Sequence, residues 1–115
     1  MKHQLDPQAL DAIVEQIVTV LDPERIILFG SYARGEAGPD SDVDIAVVAK
    51  TDQPRGRRTL PLSGSWPHVT FPTDILVFTP EEWERWETVI NTIPNEATRE
   101  GRVLYERSGA EAVVS

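Results

Sequence analysis

The sequence predicts one α/β (α+β) domain, a small mixed sheet with helices packed on it, and three observations carry that prediction. Short apolar runs at Ile26–Phe29, Asp42–Val48 and Thr73–Phe78 have strand length and are bounded by turn residues. Stretches of helical spacing alternate with them, before the first run and after the third. At 115 residues the chain can bury one modest core.

The elements follow in order. Asp6-Pro7 is a helix start, with Asp6 as N-cap and Pro7 at the first helical position. Leu10, Ile13, Val14, Ile17 and Val18 then recur at helical spacing to about Leu21, and Asp22-Pro23-Glu24 turns the chain into the Ile26–Phe29 strand. Gly30-Ser31 ends that strand and opens a helical turn over Ser31–Arg34, which Gly35, Gly38 and Pro39 break. Asp42–Val48 is the second strand. From Thr51 to about Pro72, Pro54, Gly56, Pro61, Gly64 and Pro67 forbid long regular structure, so a long loop or short helix is expected, carrying the basic cluster Arg55, Arg57 and Arg58. A solvated loop is the common explanation of such a run. Thr73–Phe78 is the third strand, and Thr79-Pro80-Glu81-Glu82 is a capping box opening a helix with Trp83, Trp86 and Ile90 on one side. Pro94 is expected to interrupt that helix, Asn95–Glu100 to add one or two turns up to Gly101, and Arg102–Tyr105 to form a final edge strand. Residues 1–107 make the domain and residues 108–115 a frayed tail.

Composition excludes several classes. A formal charge of −8 argues against a general nucleic-acid surface, which needs clustered Lys and Arg. There is no cysteine, hence no disulfide or thiolate metal site. No apolar run approaches a membrane span and the first residues do not form a signal peptide, so a soluble, cytoplasmic protein with no membrane partner is expected.

The chemistry concentrates in Gly30-Ser31, then ten residues, then Asp42-Val43-Asp44. Gly30 lets the backbone approach a ligand closely, and free N–H groups with the Ser31 hydroxyl would meet an anion there. Residues two apart on a strand face the same side, so Asp42 and Asp44 project together, their Cα atoms roughly 6.5 Å apart. That separation suits carboxylates sharing hard divalent cations and the polyphosphate they escort. Alone, Asp-x-Asp reads as an acidic strand edge facing solvent; after Gly30-Ser31 at this spacing it reads as a nucleotidyl-transfer site. An EF-hand is excluded by Ile45 and Val47, and a P-loop by the lack of Gly-Lys-Ser/Thr after Gly30. Ser31 has no histidine in the motif to make it a nucleophile. His3 and His68 are isolated, which gives neither a metal or acid–base role. Arg34 either binds the triphosphate or pairs with Glu36 or Asp40. Trp83 and Trp86 read as core or rim packing, with one at a partner interface as the alternative.

Leu28–Gly35 together with Ser41–Ile45 closely resembles the signature of the polymerase-β-type nucleotidyltransferases, and within them the minimal nucleotidyltransferases paired with a HEPN-domain protein in toxin–antitoxin systems. The likeness extends through Thr73–Glu82 and Glu100–Glu106. It implies the polymerase-β-like fold, two Mg²⁺ ions held by Asp42, Asp44 and a third carboxylate that Asp74 matches, a nucleotide site at Gly30, Ser31 and Arg34, and ATP as substrate. The irregular stretch before Asp74 departs from the compact connection expected of the family. The resemblance further implies AMP transfer to a tyrosine of a cognate HEPN toxin, the acceptor being met in trans. Two other readings stay open: an antitoxin that blocks its partner by binding alone, and a transferase acting on a small molecule such as an aminoglycoside.

Overall fold

The computed structural model describes residues 5–64 and 71–107; His3, His68 and the expected tail lie outside them. Helix α1 spans Pro7–Leu21, and the Asp6 carboxylate accepts from the Gln8 N–H at 3.0 Å. Strand β1 spans Arg25–Phe29, the short helix α2 Ser31–Arg34, β2 Val43–Val48, β3 Thr73–Phe78, α3 Pro80–Trp86, α4 Ile93–Glu100 and β4 Arg102–Glu106. The sheet order is β3-β2-β1-β4. β1 pairs antiparallel with β2 and β4, whereas β2 and β3 run parallel, so the sheet is mixed as expected. The connection from β2 to β3 carries two single 3₁₀ turns, Arg55–Arg57 and Leu60–Leu62.

Strand periodicity sorts the side chains onto two faces. Ile26, Leu28, Val43, Ile45, Val47 and Val77 pack with Leu10, Ile13 and Ile17 of α1 and with Leu62. Ile27, Phe29, Ala46, Val48 and Phe78 pack on the other face with Trp83 of α3 and Ala97 of α4. Covered on both sides, β2 is apolar at every position except Asp44. Trp83 is a core residue, its ring edge-on to Phe78 at 5.6 Å and overlain by the Arg25 guanidinium.

Two sequence expectations are corrected. The capping box at Thr79 and Glu82 is present, but α3 stops at Trp86, so Ile90 is not on its face and is 74 % exposed in the following turn. Pro94 does not interrupt a helix; it sits in the first turn of α4, whose N-cap is Thr92. That position needs no amide hydrogen, which is why proline favours helix starts. At the far end of α4 the chain passes so close to β1 that a methyl on Gly101 would overlap the Ala97 carbonyl oxygen and lie 2.7 Å from Ile27 Cγ2.

The basic cluster departs from expectation as well. Arg58 is not solvated: its side chain is 9 % exposed and donates to the Gln53 and Val77 carbonyls, at 2.9 and 3.0 Å, and to both Glu82 oxygens, at 2.7 and 3.2 Å. Glu82 also accepts from the Thr79 N–H at 2.9 Å. One carboxylate therefore closes the α3 cap and clamps the long loop against β3.

The Arg58 hydrogen bonds, helped by the Thr79 N–H, lower the Glu82 carboxyl from its ordinary 4.5 to about 2. Its stabilising contribution is complete above about pH 4.5 and is lost as pH falls toward 2. Breaking a buried ion pair costs about 3–5 kcal/mol, and Glu82 keeps some water, so Arg58→Met is expected to lose about 2–3 kcal/mol at pH 7. Urea melts from pH 7 to pH 2.5 should show the gap between parent and variant closing only below about pH 4.5. A gap that is flat across that range would mean the pair is not what holds the loop.

Candidate active site

Phe29 ends β1, and Gly30 then takes a backbone conformation, φ 76° and ψ −157°, that is close to glycine-only. The turn sets Ser31 at the start of α2, and Gly35, at φ 74°, ends that helix after four residues. Register brings the acidic residues to this turn. Phe29 stands opposite Asp44 across β1 and β2, and Asp44 stands opposite Asp74 across β2 and β3. Phe29, Asp44 and Asp74 thus lie in a row across three strands, with Gly30 just beyond Phe29, on the face that α3 and α4 cover farther along. A methyl on Gly30 would overlap Asp44 Oδ2 and lie 3.2 Å from Asp44 Cγ. Glycine is required here as much by the carboxylate as by any ligand.

Asp42 lies one residue before β2, because the ladder begins where the Val43 N–H donates to the Pro72 carbonyl at 2.8 Å. It is exposed, as is Asp74, while Asp44 is half-buried. Burial, reinforced by the charges of Asp74, Asp42 and Glu96 and opposed by Arg34, pushes the Asp44 carboxyl above its ordinary value. The cleft is lined by Gly30, Ser31, Arg34, Asp44, Asp74 and Glu96, with Phe29, Ile75, Leu76 and Ile93 as its apolar wall.

Of the two readings left open by the sequence, the structure shows the pairing of Arg34 with Glu36. Arg34 lines the cleft, and its Nε donates to Glu36 at 2.8 Å while Nη1 lies 3.3 Å from Glu96 and 3.9 Å from Glu100. The Glu36 hydrogen bond is the main cause that raises its pKa. Asp40 is not among the recorded partners. Glu96 was not legible as a site residue, since it stands 62 positions from Arg34 on a helix whose start Pro94 disguises. Nothing local in the sequence joins the two.

The donor set fits Mg²⁺ in kind, being made of hard carboxylate oxygens. It is not preassembled: among the described residues no three His, Cys, Asp or Glu side chains are gathered closely enough to hold a metal ion. Asp42 and Asp74, the two carboxylates beside half-buried Asp44, are exposed.

A glycine–serine turn facing register-paired aspartates on a mixed sheet defines a nucleotidyltransferase-type domain. Residues 10–106 match the family described as Nucleotidyltransferase domain, and the chain belongs to that family. Two proteins of Methanocaldococcus jannaschii are similar over a short segment. "Putative protein adenylyltransferase MJ0141" is 56 % identical over 27 residues, which is 24 % of this chain and 27 % of that protein. "Putative protein adenylyltransferase MJ0604" is 55 % identical over 29 residues, 25 % of this chain and 29 % of that protein. The matched segments thus span less than a third of either relative. Among solved structures, a toxin–antitoxin with AMP-PNP superposes with a TM-score of 0.60 at 20 % identity, covering 90 % of this chain and 77 % of the other. A mutant of the toxin–antitoxin MntA–HpeT gives 0.59 at 20 % identity, covering 96 % and 80 %. These likenesses confirm the expected polymerase-β-like fold.

Gly30→Ala should impose a backbone cost of about 1–3 kcal/mol. Its larger effect should be on the cleft, because Asp44 must swing aside to admit the methyl. Thermal melts and nucleotide titrations check this; unchanged nucleotide affinity would show that the turn does not meet the ligand.

Asp44→Asn should hold or raise the melting temperature of the metal-free protein. The raised carboxyl penalises folding fully above its folded-state pKa, and the penalty fades as pH falls below it, so the gain belongs to neutral pH and vanishes in acid. The same variant should lose most of the stabilisation that Mg²⁺ with a non-hydrolysable ATP analogue gives the parent. Severe destabilisation without metal would make Asp44 a structural residue.

Proposed function

We propose that this protein transfers AMP from ATP, with Mg²⁺, to a hydroxyl of a partner protein, the tyrosine of a cognate HEPN toxin, and so acts as an antitoxin. The observation that carries the reading is the row of Phe29, Asp44 and Asp74 across three adjacent strands, with the Gly30 turn, Ser31 and Arg34 at one end. The names of the similar adenylyltransferases and the toxin–antitoxin assemblies of the similar structures support it.

Transfer of this kind asks for positioning and charge neutralisation more than covalent work. Ser31 Oγ makes no hydrogen bond among the described residues and is available to a phosphate oxygen, beside the backbone N–H groups of the turn. Arg34, held by Glu36 and Glu96, offers a guanidinium already placed at the cleft wall. Asp42, Asp44 and Asp74 would hold the Mg²⁺ ions, which when bound neutralise the triphosphate and activate the acceptor hydroxyl. Asp74, exposed on the outer strand, stands where a proton from that hydroxyl can leave toward solvent. Phe29, Ile75, Leu76 and Ile93 exclude water from one wall.

Ser31→Ala should weaken nucleotide binding by about 0.5–1.5 kcal/mol, one hydrogen bond's worth, without unfolding the domain. The decisive experiment is intact-mass spectrometry of the protein encoded beside this gene after incubation with Mg²⁺ and each nucleoside triphosphate. The expected product is an AMP adduct on a tyrosine. A stable complex with no adduct from any of the four nucleotides would replace this reading with inhibition by binding alone.

A further inference from the structure

We infer that the acceptor enters through an apolar groove beyond β3, and that Leu76, Phe78, Trp86 and Ile93 select a phenolic side chain there; this rests on the adenylyl-transfer reading above. The groove holds about 590 Å³. Four consecutive β3 residues, Ile75–Phe78, form its floor, the loop at Arg55 and Thr59 one rim, and Trp86 with Asn91–Pro94 the other. No residue of β1 or β2 lines it, which places it on the outer side of the edge strand. It is continuous with the aspartate cleft, the two sharing Ile75, Leu76 and Ile93 as walls.

In-line chemistry identifies the occupant. In transfer to phosphorus the attacking and leaving oxygens lie roughly opposite each other. On the adenylyl-transfer reading the triphosphate would lie against Gly30, Ser31 and Arg34, at the end of β1, and the reacting phosphorus would face Asp44 and Asp74 on β2 and β3. The attacking oxygen therefore arrives from the side opposite β1, where the groove opens. As the new oxygen–phosphorus bond forms, the bond from the α-phosphorus to the bridging oxygen breaks, pyrophosphate takes the electron pair, and the acceptor proton leaves past Asp74 to solvent. The groove's character narrows the acceptor further. Leu76 and Trp86 are large apolar side chains more than a third exposed, half-buried Ile93 continues the same surface, and the buried Phe78 backs it. Apolar walls ending at a polar, metal-binding centre match a ring with a hydroxyl at its tip. A serine or threonine would leave them wet.

The test uses the full chain, ¹⁵N-labelled, with two probes in separate millimolar titrations: N-acetyl-tyrosinamide and adenosine. The phenol should shift the resonances of Phe78 and the Trp86 indole, which line the groove and not the cleft, and leave Gly30 and Ser31 in place, while adenosine should leave Phe78 and Trp86 undisturbed. Leu76→Lys and Trp86→Ala, both on partly exposed positions, should each abolish the phenol response with the rest of the spectrum intact. Phenol shifts confined to Gly30, Ser31 and Arg34, an absent response, or occupation of the groove by adenosine would each overturn the inference. Against the neighbouring gene's product, Trp86→Ala, which lines the groove and not the cleft, should raise the acceptor KM about tenfold at unchanged ATP affinity. A parent chain that binds the phenol in the groove yet transfers AMP to no protein removes the adenylyl-transfer reading instead.

Discussion

The register of β2 against β3 is the constraint on which the rest depends. Parallel pairing sets Asp44 directly beside Asp74, and the antiparallel ladder with β1 sets Phe29, and so the Gly30 turn, beside Asp44. A slip of one residue in either ladder would turn a carboxylate onto the α1 face, among Ile13, Ile17 and Leu62. The apolar alternation of Val43, Ile45 and Val47 forbids that slip, because the same move would bring Asp44 into the core. Core and cleft therefore fix each other: the residues that stabilise the sheet also aim the carboxylates.

The cleft works against the stability of the sheet that holds it. Asp44 is raised by burial and by its acidic neighbours, and Arg34 is the cation lining that cleft. Arg34 is in turn surrounded by Glu36, Glu96 and Glu100. The proposed ligand, a metal–phosphate complex, would bring positive charge to the carboxylates and negative charge to the guanidinium. Compensation comes from elsewhere, chiefly the two-faced burial of β2 and the packing of Trp83 between Phe78 and Arg25.

The Glu82 carboxylate links the irregular loop to the site. It closes the helix cap of α3 and, through Arg58, ties the loop to the Val77 carbonyl on the outer edge of β3. That clamp leaves the remainder of the edge, from Ile75 to Leu76, facing the groove. Departure from the compact family connection thus has a structural use here, since the loop supplies one rim beside the strand that carries Asp74.

Much of this was legible in local sequence because local rules suffice for it. The Asp6-Pro7 start, the Thr79–Glu82 capping box and the period-two strands are written in residues within a few positions of each other. So is the pairing of Gly30-Ser31 with an aspartate strand, since a turn and a spacing define it. Pro94 was misjudged because proline both ends and begins helices, and only the turn at Asn91, with φ 72°, decides which. Arg58 looked like a solvated loop residue because its partner lies 24 positions away. Glu96 was invisible for the same reason, and the groove beyond β3 exists only once loop, strand and helix ends converge. The sequence by itself determined most of the elements and the place of the aspartates beside the Gly30 turn, whose signals are short-range. Tertiary structure alone decided which distant charges face Arg34 and Arg58 and which side of the cleft lies open, because those follow from strand order and chain closure.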